Sequence, residues 1–185
     1  MGRRVKGTLF REYVQMIRNN KNVDWSKHLT PEELIYINQL ITASQWYPMQ
    51  TYQRMGAAIF KEVAKGRPES ALLWGKISME AMANLYKSTL VVEDSPIQTL
   101  EKFKVINRHF FDFEGFEITI LAPDHVSIKI DREFGTMAAI GYSSQMLGSF
   151  QRLVELSGGR EVKAEFTAKL WEGAPNTIID LQWKI

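Results

Sequence analysis

The sequence predicts an α+β fold. An N-terminal helical bundle, residues 1–113, packs on a four-stranded antiparallel sheet of β-β-α-β-β order, residues 114–185. Three observations carry this. Phe116, Ile118 and Ile120, then Val126, Ile128 and Ile130, alternate with polar residues, the pattern of strands with one buried face. Val162 to Leu170, and Ile179 to Ile185, repeat that alternation after a helical stretch from Phe134 to Ser157. Everything before Glu114 instead shows three- and four-residue spacing of apolar side chains.

The elements follow in order. Leu9, Phe10, Tyr13, Val14, Met16 and Ile17 predict a first helix over 7–19, ended by Asn19, Asn20 and Asn22. Residues 23–29 read as a loop anchored by Trp25. Thr30-Pro31-Glu32-Glu33 is a helix start: the threonine caps, proline suits the first position, and the acids favour the positive end of the dipole. Leu34, Ile37, Leu40 and Ile41 form its apolar face. Gln45 to Pro48 reads as a rigid aromatic turn, and Pro48 opens a helix to about Lys65. Gly66 stops that helix and Pro68 begins one running to Leu90, with Leu72, Gly75, Met79, Met82 and Tyr86 inward. Ser95-Pro96 opens a further helix through Leu100, Phe103, Ile106 and Phe110. Pro123-Asp124 and residues 173–176 are the two hairpin turns. Gly135, Gly141 and Gly148 fall in the helix between the hairpins. Glycine there costs about 1 kcal/mol against alanine, so these positions predict close packing or room for a ligand.

Composition narrows the function. At 185 residues the chain reads as a single domain, and 45% hydrophobic with 24% charged residues excludes a wholly disordered one. A net charge of +2 with scattered basic residues argues against nucleic acid. Arg3, Arg4 and Lys6 at the start read as a solvated tail. Cysteine is absent, which removes disulfides, thiolate metal sites and cysteine nucleophiles. No run approaches the roughly 20 apolar residues of a membrane span, and the start lacks a signal-peptide pattern, so a cytoplasmic location is expected.

Val5 to Phe10, Trp46-Tyr47-Pro48 with Tyr52 and Arg54, Leu73-Trp74-Gly75, Leu156 to Gly159 and the strand from Ile178 to Trp183 together carry a family likeness. Their order and spacing resemble the NO-signalling and Golgi-transport ligand-binding fold. That fold is shared by haem NO/oxygen-binding domains, V4R (4-vinyl reductase) domains and the Bet3-like subunits of the TRAPP tethering complex. Locally the chain is similar to a myxobacterial and deltaproteobacterial paralogue family related to them. The resemblance implies a ligand-binding or protein-interaction role. The sequence departs from it in two ways: residues 172–176 carry no thiol where V4R domains often have a cysteine hairpin, and Tyr142-Ser143-Ser144-Gln145 lacks the arginine of the haem Tyr-x-Ser-x-Arg signature. No cofactor is therefore expected, haem included, and His109 reads as a surface residue.

Trp46, Tyr52, Arg54, Trp74, Met79, Met82, Tyr86 and Tyr142 are the candidate pocket residues. They either fill the core or line an apolar cavity between helices and sheet, with Arg54 placed to anchor an acid or to tie a helix to a loop. No Gly-x-Ser-x-Gly, HExxH or phosphate-loop pattern occurs, so no catalytic residue is assigned. The expected function is a non-enzymatic sensory or adaptor domain that binds a small apolar ligand and signals to a protein partner. The alternative is a TRAPP-like scaffold with a filled core, acting with a small GTPase system. A homodimer is expected, with Met16, Met49 and Met55 either at its interface or buried in the core.

Overall fold

Capping chemistry sets the helix starts. In the computed structural model, which describes residues 2–131 and 135–184, Thr30 accepts from the Glu33 amide while the Glu33 carboxylate accepts from the Thr30 amide, closing a full capping box. Helix α1 is Gly7–Asn19, α2 Pro31–Asn38, α3 Met49–Glu62 and α4 Pro68–Leu85. A short α5, Lys87–Leu90, precedes α6, Pro96–Asn107. Then come β3 Phe116–Ala122, β4 His125–Ile130, α7 Gly135–Leu156, β5 Arg160–Ala168 and β6 Thr177–Lys184. The four strands form an antiparallel sheet in the order β3-β4-β6-β5. The fold class is thus the one the sequence predicts. Phe134 and Ile185, the expected first helical and last strand residues, lie outside the described residues.

The sheet lays Val126, Ile128, Ile179, Leu181 and Trp183 against α7, which answers with Phe150, Leu153 and Val154. Phe103 of α6 stacks on Phe116, and Phe150 meets both rings edge-on. These rings join the helical part and the sheet in one apolar core.

Several expectations are corrected. Trp46–Pro48 is not a turn but a strand, β2, paired antiparallel with β1, Arg4–Lys6. Strand alternation turns Tyr47 inward, stacked 4.6 Å from Phe10, and Trp46 outward. The basic start is therefore no solvated tail. Lys6 Nζ lies 4.0 Å from the Trp46 ring, Arg3 sits over Phe113, and Arg4 pairs with Asp112 at 2.8 Å. Helix α4 ends at Leu85 because Tyr86 leaves helical backbone geometry, and the Tyr86 side chain is exposed rather than inward. Leu40 falls beyond α2 and is exposed. Ile120, on an edge strand with a register shift beside it, is half exposed. Met49 and Met55 are buried in the core, the second of their two expected places.

Candidate functional site

Two glycines bring the site's main walls together. A Cβ on Gly75 of α4 would meet the Gln145 carbonyl oxygen at 1.9 Å, and one on Gly148 of α7 would meet that of Leu72 at 2.0 Å. The α4 and α7 backbones therefore touch. Ser149 Oγ seals the contact, 3.2 Å from the Gly75 carbonyl oxygen and 3.0 Å from that of Gln145. Beyond this contact the helices are spaced by larger side chains, and α1 and α6 close the other sides.

The space left is a cavity of about 350 Å³, within the size range of small-molecule sites. Met79, Met82, Phe103, Phe111 and Met146 supply apolar walls, and Ile77, Leu85 and Tyr86 form a solvent-exposed rim. Its polar groups are Thr8, Glu12, Ser78, Asn107, Gln145, Ser149 and the phenols of Tyr52, Tyr86 and Tyr142. A smaller adjoining space of about 70 Å³ shares Glu12, Tyr52, Ser78, Tyr142 and Gln145 and reaches Trp74.

The phenols between the two spaces form a coupled group. Tyr13 and Tyr52 stack with ring centroids 4.3 Å apart, and the Tyr13 hydroxyl lies 3.4 Å from Gln145 Oε1. Burial pushes all three phenols above their ordinary range. For Tyr52 the neighbouring Tyr13 adds to the effect, and for Tyr142 burial is the main cause, with smaller pushes from Tyr13 and Asp131. Glu12 stands at the mouth. Partial desolvation raises its carboxyl against the opposing pull of Arg11.

Six of the eight expected pocket residues line these spaces: Tyr52, Trp74, Met79, Met82, Tyr86 and Tyr142. Two are corrected. Trp46 faces outward on β2 under Lys6 and Arg4. Arg54 lies outside the lining of both spaces: its Nη1 donates to Glu33 Oε1 at 2.9 Å and ties α3 to the α2 cap, the second of the two roles expected of it. Sequence reasoning missed Phe103, Asn107, Glu12 and Gln145. Only the one-turn spacing of Phe103 and Asn107 on α6 hinted that they share a face.

The histidines lie elsewhere. His109 is exposed, His28 Nε2 is 2.9 Å from Glu62 Oε1, and His125 Nε2 is 2.7 Å from Asp180 Oδ1. Among the described residues no group of three or more histidine or carboxylate side chains could hold a metal ion. No described helix is long and apolar enough to cross a membrane.

No family model matches the chain, and no curated protein matches it in sequence. Solved structures do match in shape. An H-NOX protein from S. oneidensis in the Fe(II)NO ligation state superposes with a TM-score of 0.64 at 9% identity, covering 97% of this chain and 99% of that one. The Fe(II) unliganded H-NOX protein from K. algicida gives 0.65 at 13% identity, covering 97% of each chain. The chain has an H-NOX-like fold. A third structure, solved to probe haem distortion in the H-NOX family, gives 0.61 at 12% identity, with 97% of this chain and 95% of that one covered.

These neighbours overturn the expectation that this chain takes no cofactor, haem included: they make haem a candidate ligand. The H-NOX proteins are described in iron ligation states and by their haem. The side chains here meet such a group in part. Met79, Met82, Tyr52 and Tyr142 offer thioether sulfur and phenol oxygen, both known axial donors to haem iron. Among the described lining residues there is no imidazole, and no lysine or arginine to pair with carboxylates inside.

Proposed function

We propose that this chain is a sensory ligand-binding domain rather than an enzyme, with the cavity between α1, α4, α6 and α7 as its ligand site. The observation that carries the reading is the cavity itself. It is mainly apolar, ringed by exposed Ile77, Leu85 and Tyr86, and furnished with polar groups. An apolar rim left to water is the expected state of a site that a ligand completes. The H-NOX-like fold supports the same reading.

Haem is the first ligand to test. Met79, Met82, Tyr52 and Tyr142 would hold it, and bound haem would supply an iron centre able to take a gas. The chain's own part is to enclose the group, exclude water with Phe103 and Met146, and offer sulfur or phenol oxygen to the metal. The carboxylates of such a group would face the open rim, since no described lining residue is cationic.

Signalling would run through α4. Its inner face carries Met79 and Met82, while Leu73 and Ile77 on the same helix are exposed at 55% and 56%. A ligand pressing on the methionines shifts the stripe that a partner or a second copy would read, and we place the homodimer contact there.

Haem titration with absorbance detection tests the proposal. We expect a Soret band that saturates at one equivalent and changes shape in Met79→Leu or Met82→Leu. A band that stays that of free haem at every ratio would refute haem as the ligand.

A further inference from the structure

Asn107 closes α6 with its side chain against the cavity, 6% exposed. Its backbone carbonyl is fully used, accepting from Phe110 and Phe111 at 2.9 and 3.2 Å. Its side-chain oxygen is not: among the described residues nothing donates to Asn107 Oδ1, which is buried. A buried acceptor without a donor is costly, and native proteins keep few of them. Around it the wall is apolar, with Phe103 one turn earlier on α6 and Met146 across on α7. An aliphatic side chain would suit that wall at no such cost. The amide therefore needs a reason that the fold alone does not supply.

We infer that Asn107 is the specificity group of this cavity, accepting a hydrogen bond from an N–H or O–H on the edge of an otherwise apolar aromatic ligand, the chemistry of indoles and phenols. This rests on the reading of the cavity as a ligand site, not on haem as its occupant, and adds what the site selects. The ring follows from the walls. Thioethers of Met79, Met82 and Met146 and the ring of Phe103 favour flat aromatic surfaces over branched aliphatic ones. The donor follows from Asn107 Oδ1. The absence of any cation among the described lining residues disfavours a ligand that would bury an anionic group against Asn107. Asn107 also borders a crevice of about 10 Å³ beside Lys104 and Phe113, just large enough for one water, which is the competing explanation of its amide.

Calorimetric titration with indole and with benzofuran separates these explanations. The two probes share size and shape, and only indole carries an N–H. Indole is expected to bind about tenfold tighter, the worth of satisfying one buried acceptor. In Asn107→Leu the preference disappears while benzofuran affinity is kept. Equal binding of both probes to the unaltered protein overturns the inference, assigns Oδ1 to water, and leaves the ligand site standing. Binding of neither probe overturns the ligand-site reading and this inference together. Because the comparison is made first on the unaltered chain, it decides the matter even if Asn107→Leu does not fold.

Discussion

Replacing Gly75 by alanine puts the α4–α7 contact to a direct test. The added methyl would sit 1.9 Å from the Gln145 carbonyl oxygen, where 3.0 Å is the closest approach such atoms make. The obstacle is backbone, so it cannot rotate aside, and the helices must part by about 1 Å. Overpacking costs about 1–3 kcal/mol, and a backbone obstacle places this one in the upper part of that range, about 2–3 kcal/mol. Alanine's better helix propensity returns about 1 kcal/mol. The net loss is about 1–2 kcal/mol, which for a chain of this size lowers Tm by roughly 2–8 °C. Gly148→Ala meets the Leu72 carbonyl oxygen at 2.0 Å across the same contact and should cost as much. The double variant should lose less than the sum, since the first methyl has already parted the helices. Gly141→Ala serves as the control: its methyl would come no closer than 2.9 Å to the Phe60 side chain, an overlap far smaller than the one at Gly75, so the loss is smaller. Urea titration and calorimetric melting measure all four. A Gly75→Ala protein as stable as the parent, or strictly additive losses, would refute the argument that these glycines set the wall spacing.

Two further outcomes are expected. Arg54→Ala should cost about 1–3 kcal/mol in urea unfolding, because it strands the buried Glu33 carboxylate, yet leave ligand uptake unchanged; lost uptake in a folded variant would show that Arg54 reaches the site after all. Tyr13, Tyr52 and Tyr142 have folded pKa values raised above the unfolded value of about 10. Their contribution to stability is therefore complete below about pH 10 and is lost as pH climbs through the folded values. Phenolate absorbance should show late ionisation that Tyr142→Phe reduces, and an unchanged curve in that variant would contradict the burial argument.

Much of this fold was legible because each element carries a local signal. Thr30 to Glu33 spells a capping box, and Val126-Ile128-Ile130 and Ile179-Leu181-Trp183 alternate cleanly because those strands are central in the sheet. What escaped was set by contacts distant in sequence. Three residues at Trp46–Pro48 are too few to show a period, and their partner strand lies some forty residues earlier. The inward face of Tyr47 and outward face of Trp46 depend on that pairing. Arg54 lies near aromatic residues in sequence, but its partner Glu33 became visible only once α2 and α3 were placed. Within the site, Met79, Met82 and Tyr142 could be picked out as large apolar groups on helices flanked by glycine. Asn107 could not, since a polar residue at a helix end has an ordinary capping explanation until its burial and its unmet oxygen are seen. The likeness to haem NO/oxygen-binding domains was legible in the order of the motifs; the missing signature around Tyr142 argued against haem itself, and the H-NOX-like shape at 9–13% identity reopens that question.

Native mass spectrometry of the purified protein, repeated after denaturation and after incubation with haem, tests the central claim most directly. The account expects a bound mass, carried through purification or taken up with haem, that is released on denaturation, and a dimer in the native spectrum. A clean monomer mass in every sample, with no uptake of haem, would contradict both haem as the ligand and the dimer.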